Sequence, residues 1–123
     1  MSDSLPVDEV FACNLLALDT EARQRHSVVC KQLFESFQEI RELPEGYGFR
    51  WGTADLLLGA EFISRERLCC PFFDFTLSVD ARADSFWLDI TGRPGTKAFV
   101  RSEFGMVFPP DGTVRRPDTV QAS

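Results

Sequence analysis

The sequence is poor in the side chains on which much enzyme chemistry depends. It has one histidine, His26, and one tyrosine among its 123 residues. A site with two histidine ligands from a single chain is therefore excluded, and a serine–histidine–aspartate triad would have to use His26. The chain also contains no GxGxxG, GxxxxGK[ST] or HExxH motif. These common dinucleotide, phosphate and zinc-protease signatures therefore give no guide to its function.

Long apolar runs and an excess of positive charge are also missing. No segment approaches the roughly 20 apolar residues that span a bilayer, and the acidic N-terminus lacks the basic region of a signal peptide. Thirteen Lys and Arg against nineteen Asp and Glu give a net charge of -6, which disfavours nucleic acid and anionic membranes as partners. We expect a cytoplasmic protein, and in that reducing compartment we expect thiols or metal ligands rather than disulfides.

Phenylalanine is the residue that the sequence has in excess. Twelve Phe and a hydrophobic fraction of 44% predict one domain with an aromatic core. Hydrophobic periodicity predicts an α+β two-layer sandwich in the order β-α-ββ-α-ββ-α, with a mainly antiparallel sheet and helices on one face. The strand and hairpins are predicted at 10–16, 38–51 and 73–91, and the helices at 20–37, 53–69 and 92–105. We expect a flexible lead over 1–8, the domain over 9–106 and a flexible tail over 107–123.

The first predicted helix carries polar groups on its apolar face. His26 and Cys30 lie four residues apart within the apolar stripe, and Arg23 lies at its edge. The i, i+4 spacing points both side chains in the same direction, so that they could share one metal ion. Alternatively, Cys30 is a small core residue and His26 a core histidine with its hydrogen bonds satisfied.

The second predicted helix ends in the most distinctive stretch of the chain, Glu66-Arg-Leu-Cys-Cys-Pro-Phe72. Phe62 and Cys69 share one face, with Arg65 on one side of it and Glu66 on the other. Pro71 places Cys70 outside the helix, where we expect it to be the most solvent-exposed member of the group.

Three interpretations of the two adjacent cysteines remain open. As thiolates, Cys69 and Cys70 could bind Zn(II), Cu(I) or Hg(II), with His26, Cys30 or Cys13 completing the coordination. One of them could instead be a reactive thiol, although the negative end of the helix dipole opposes activation. In the third interpretation both are structural. Cys13 itself shares a predicted strand face with apolar residues, and we expect it to be a core residue.

The two helices could bring their polar residues into one cleft. Such a cleft could also bind a small apolar molecule with a polar group. The residues expected to line it are Arg23, Phe62, Arg65, Glu66 and Cys13.

Several segments resemble a group of small bacterial proteins that carry an ERxCCPF motif. These are Phe11-Ala-Cys13, Arg25-His26, Glu42-Leu-Pro44-Glu-Gly-Tyr47, Glu66-Arg-Leu-Cys-Cys-Pro-Phe-Phe73 and Trp87-Leu-Asp-Ile-Thr-Gly92. The resemblance covers about residues 10–105, and the double-cysteine motif is its most specific part. The group is loosely associated with heavy-metal response. The resemblance therefore implies a function that involves soft metal ions, and it assigns no catalytic role to any residue.

The leading hypothesis is binding of a soft metal ion, or of a thiol-reactive metal species, through Cys69 and Cys70 with His26 and Cys30. The first alternative is a non-catalytic module that binds a small ligand or dimerises, with structural cysteines. The second is a thiol enzyme with His26 as base. Dimerisation is left open: we assign Arg50, Phe72 and Trp87 to the polar sheet face, and they give it enough apolar surface for a partner such as a second copy of the chain.

Overall fold

The computed structural model describes residues 14–105. This part of the chain contains four strands and three α-helices, with 3-10 helices at Leu15–Ala17 and Thr53–Asp55. The strands are β1 (Glu39–Leu43), β2 (Gly46–Gly52), β3 (Phe73–Asp80) and β4 (Ser85–Gly92). The α-helices are α1 (Thr20–Ser36), α2 (Leu56–Cys69) and α3 (Thr96–Glu103).

The four strands form one antiparallel sheet in the order β1-β2-β4-β3. Each predicted hairpin is present, and the two hairpins join through β2 and β4, where Phe49 lies opposite Leu88 and Trp51 opposite Phe86. Alternation of side chains along each strand therefore gathers the aromatic residues of the strands, apart from Trp87, on one face. The predicted α+β class with a mainly antiparallel sheet is confirmed.

All three helices cover that aromatic face. Phe34 of α1 contacts the rings of Phe49 and Trp51 edge-on, with ring centroids 5.2 and 5.6 Å away. Phe62 of α2 packs against the β3 residue Phe75, and Phe99 of α3 packs against the β3 residue Phe73. The buried indole of Trp51 donates its N–H to the carbonyl of Leu33 at 2.8 Å, so the large ring is buried without leaving its polar group unpaired. The resulting core is rich in phenylalanine, as the composition predicts.

The opposite sheet face is polar and makes its own internal contacts. Arg41 donates to both carboxylate oxygens of Asp89, at 3.0 and 2.9 Å, and its guanidinium carbon lies 4.1 Å from the ring centroid of Trp87. Assigning Phe72 to this face is wrong, because its ring packs against Phe73 and Phe99 on the helical side.

The N-terminal end of the described chain differs from the sequence prediction. The predicted strand at 10–16 falls partly outside the described residues, and its last residues belong to the 3-10 helix Leu15–Ala17. Local hydrogen bonds explain the turn, since Ala17 donates its N–H to the carbonyl of Asn14 at 3.0 Å. Cys13 and the segments predicted as flexible, 1–8 and 107–123, lie outside the described residues.

Within residues 14–105, no helix is long and apolar enough to cross a membrane.

Candidate metal centre

The start of α1 is fixed by a side-chain cap. Asp19 accepts a hydrogen bond from the N–H of Ala22 at 2.8 Å, which satisfies one of the free N–H groups of the first turn. From this start, the residues of α1 that turn inward are His26, Val29 and Leu33. Cys30, one turn beyond His26, is half-buried on the same side.

His26, Cys30 and Glu66 meet between α1 and α2. Each offers one ligand atom, and these three atoms all lie within 4.8 Å of one another. His26 Nε2 lies 2.6 Å from Glu66 Oε1, so the two side chains are joined by a short hydrogen bond across 40 positions of sequence. His26 and Glu66 are both buried, each with 8% of its surface exposed. A nitrogen, a sulfur and an oxygen donor in one buried space can hold a metal ion such as Zn(II).

The imidazole of His26 keeps one nitrogen unpaired. Its ring stacks on Phe62 with the centroids 5.5 Å apart and an interplanar angle of 19°, which fixes the plane of the ring. Nε2 contacts Glu66, whereas Nδ1 is buried and has no hydrogen-bond partner among the described residues. A buried polar atom without a partner is costly in a folded protein unless a ligand or water pairs with it.

Two free thiols belong to this region. Cys69, at the end of α2, is almost completely buried, and Cys30 interacts electrostatically with it. Burial raises the pKa of Cys30 to about 12, and the negative charge of Glu66 adds to the shift, followed by repulsion from Cys69 when that thiol is also ionised. Burial and the Glu66 charge also raise the pKa of Cys69. Both sulfurs therefore carry protons at neutral pH unless a bound cation displaces them.

Cys70 agrees with the sequence expectation in its position and differs from it in two other ways. As predicted, it follows the last residue of α2, and its N–H donates to the carbonyl of Glu66 at 2.7 Å. However, the prediction that it is solvent-exposed is wrong, because only 1% of its surface is accessible. Cys70 is also disulfide-bonded. The expectation that the cysteines are thiols or metal ligands rather than disulfides is therefore wrong for this residue. In this state Cys69 and Cys70 do not form a free dithiol, and Cys70 offers no thiolate to a metal.

The arginines predicted to line the cleft have partners elsewhere. Arg65 Nη1 donates to Glu61 Oε2 at 2.6 Å, along a partly buried side of α2. Arg25 of α1 binds the same carboxylate with two hydrogen bonds, at 2.6 and 2.8 Å. Arg23 donates to the carbonyl of Leu18 at 2.9 Å, beside the start of α1. Among these contacts, the Arg25–Glu61 ion pair joins α1 to α2, whereas the hydrogen bonds of Arg65 and Arg23 are local.

His26, Cys30 and Glu66 are all among the site residues predicted from the sequence, although not in all of the roles that the structure gives them. Glu66 was predicted as a residue lining a pocket, whereas it directly contacts the histidine that was predicted as a ligand. The available signal was the i, i+3 spacing of Glu66 and Cys69, which places both on the inner face of α2. The bridge from Arg25 to Glu61 had no local signal, because the two residues lie on different helices.

No protein-family model, no curated protein and no solved structure matches the chain.

Proposed function

We propose that this protein binds a thiophilic metal ion between α1 and α2, through His26, Cys30 and Glu66, with Cys69 as the fourth ligand. Zn(II) is the ion that best fits this mixture of donors, because it accepts nitrogen, thiolate and carboxylate ligands in tetrahedral sites. Cu(I) and Hg(II) would rely on the two sulfurs. The resemblance to the ERxCCPF group supports the same metal theme.

The observation that carries the proposal is the grouping of three potential ligand atoms within 4.8 Å of one another, from two buried residues and the half-buried Cys30. The residues come from two helices whose relative position is held by the Arg25–Glu61 ion pair on the outside and by aromatic packing of Phe62 on the inside. The donors are therefore held close together before any ion arrives, which lowers the entropy cost of binding. The buried and unpaired Nδ1 of His26 supports a ligand at this position.

The His26–Glu66 hydrogen bond is the contact with which an ion must compete. The observed separation of 2.6 Å is too short for an ion to lie between the two atoms. Zn–N and Zn–O bonds of about 2.0–2.2 Å in a tetrahedral site separate their donors by roughly 3.4 Å. A side-chain rotation that opens the pair by less than about 1 Å would meet this requirement. Binding at Nδ1 would instead leave Glu66 to orient the ring, as carboxylates commonly do for histidine ligands.

The raised thiol pKa values favour metal binding over a thiol enzyme. A nucleophilic cysteine works as its thiolate and needs a lowered pKa, whereas the pKa values of Cys30 and Cys69 are raised. A bound metal ion deprotonates its own thiol ligands and so does not depend on prior activation.

A metal titration of the full chain with its free thiols kept reduced under anaerobic conditions tests the proposal. Zn(II), Cu(I) and Hg(II) are added separately, and Co(II) serves as a spectroscopic substitute for Zn(II) with visible thiolate charge-transfer bands. We expect one ion per chain, and we expect Cys30→Ser and Glu66→Gln each to weaken Zn(II) binding at least about tenfold.

Glu35→Gln is the control for Glu66→Gln. It removes the same charge, but Glu35 contacts only Lys31 of its own helix, on the exposed side of α1, so Zn(II) affinity should stay within about twofold of wild type. Equal weakening by both variants would show that only net charge matters. Absence of Co(II) charge-transfer bands in the wild type would refute the site.

A further inference from the structure

Strand β3 forms one edge of the sheet and lacks the lysine and proline residues that often protect such an edge. In the described part of the chain, β3 pairs with β4 on one side and with no strand on the other. Its sequence, FDFTLSVD, spans eight residues and contains no lysine, arginine or proline. Proteins commonly protect an exposed edge with these residues or with a bulge, because its free N–H and C=O groups can pair with another strand.

The helix-facing side of β3 is only partly covered. Phe73 and Phe75 lie under the helices, but farther along the same side Leu77 is 39% exposed and Val79 is 52% exposed. The other side of the strand carries Asp74, Thr76, Ser78 and Asp80, all exposed. The edge therefore presents free backbone groups with an apolar row on one side and a polar row on the other.

The residue pattern of β3 is complementary to itself in one antiparallel register. When Thr76 lies opposite Thr76 of a second copy, each Phe75 faces a Leu77, each Phe73 faces a Val79 and each Asp74 faces a Ser78. Apolar residues then meet apolar residues, and every carboxylate in the paired segment meets a hydroxyl group. Shifting the register by two residues, so that Leu77 faces Leu77, would bring Asp74 opposite Asp80 and place like charges together.

We propose that two copies of this chain pair through the free edges of β3, around a two-fold axis at Thr76, to form a continuous eight-stranded sheet. The axis is perpendicular to the sheet, so the helices of both copies lie on the same side. Such a contact is isologous, with the same residues contributed by each copy. It belongs to the small class of interfaces, so we expect a dissociation constant in the micromolar range. This proposal does not depend on metal binding.

Sedimentation of the full chain over a range of concentrations, from about 1 µM to several hundred micromolar, tests the dimer. We expect the mass to rise from 13.9 kDa toward twice that value. Thr76→Lys places two lysines opposite each other at the axis and should raise the dissociation constant at least about fivefold. Ser78→Lys is the matched variant, because it adds the same charge to the same exposed row but places each lysine opposite an Asp74. It should leave the dissociation constant unchanged or lower it.

Circular dichroism and urea unfolding confirm that both variants fold. A Thr76→Cys variant gives a second measurement, since mild oxidation should join two chains through the introduced thiols at the axis. A monomer across the whole concentration range would overturn the proposal, as would a dimer that Thr76→Lys does not weaken. Weakening by Ser78→Lys would overturn the register centred on Thr76.

Discussion

Glu61 joins the two helices of the candidate metal centre through an ion pair with Arg25. Its carboxylate accepts two hydrogen bonds from Arg25 of α1 and one from Arg65 of α2. The hydrogen bonds from these two guanidinium groups lower the pKa of Glu61 to about 2. Glu66, five residues later on the same helix, lies on the buried face and contacts His26 instead. Adjacent turns of α2 thus place one carboxylate in an exposed structural ion pair and the other in the candidate site.

The lowered pKa of Glu61 predicts an acid-dependent contribution to stability. Because the pKa lies near 2 in the folded protein and at 4.5 for an ordinary Glu, the stabilisation is fully present above pH 4.5 and is lost as the pH falls toward 2. Glu61→Gln should therefore reduce the free energy of unfolding by about 1 kcal/mol at neutral pH, after screening by solvent. Most of that difference should disappear at pH 2.5.

Urea unfolding of wild type and Glu61→Gln at both pH values measures this difference. Glu35→Gln serves as the control, because it removes an acid from the more exposed Lys31–Glu35 pair and should cost no more than about 0.5 kcal/mol. A difference between wild type and Glu61→Gln that is the same at neutral pH and at pH 2.5 would contradict the prediction.

At the scale of elements, the start of α3 depends on one glycine. Gly95 precedes the helix with φ 104° and ψ -14°, a left-handed conformation that residues with a Cβ rarely adopt. The turn lets the N–H of Thr96 reach the carbonyl of Arg93 at 3.1 Å. It also directs α3 back onto the sheet, where Val100 is fully buried.

Gly95→Ala should therefore destabilise the protein by about 1–2 kcal/mol, the cost of holding a Cβ in the left-handed region. Gly95→Asn should cost less, since asparagine tolerates this conformation better. Gly105→Ala is the matched control, because a Cβ at that position meets no atom within 4 Å among the described residues. Chemical denaturation measures all three variants, and equal stability of Gly95→Ala and wild type would contradict the role of the turn.

Most of these elements could be predicted from local sequence patterns. Alternation of apolar and polar residues over 73–79 and 86–91 identified the second hairpin, and Pro71 predicted the end of α2 near Cys70. In each case the determining signal lies within a few residues of the element itself. The inward direction of His26 and Cys69 followed from helical periodicity in the same way.

Features set by packing between distant segments could not be predicted in this way. The alternation of β3 predicts one apolar side, but how far the helices extend over Leu77 and Val79 depends on the whole arrangement. Cys70 was expected to be exposed because it lies outside the helix, yet surrounding elements bury it. The contact between His26 and Glu66 likewise depends on how α1 packs against α2.

At the scale of the whole molecule, a metal ion bound between α1 and α2 would join the two helices and stabilise the fold. An ion that binds only the folded state adds about 2.7 kcal/mol when its concentration is 100 times its dissociation constant. For a domain of this size, that corresponds to a rise of about 10 °C in the unfolding temperature.

Thermal unfolding of the full chain, with and without saturating Zn(II), measures this stabilisation. We expect the rise in wild type and in Glu61→Gln, and reversal by a chelator. In Cys30→Ser we expect at most about half of the rise, because tenfold weaker binding leaves about 1.4 kcal/mol of stabilisation at the same concentration of ion. If Cys30→Ser gained as much stability as wild type, the ion would be bound elsewhere. If the rise were retained in Cys30→Ser and lost in Glu61→Gln, the metal would be bound at the Arg25–Glu61 ion pair. Of the two places, only the cluster of His26, Cys30 and Glu66 requires the Cys30 sulfur.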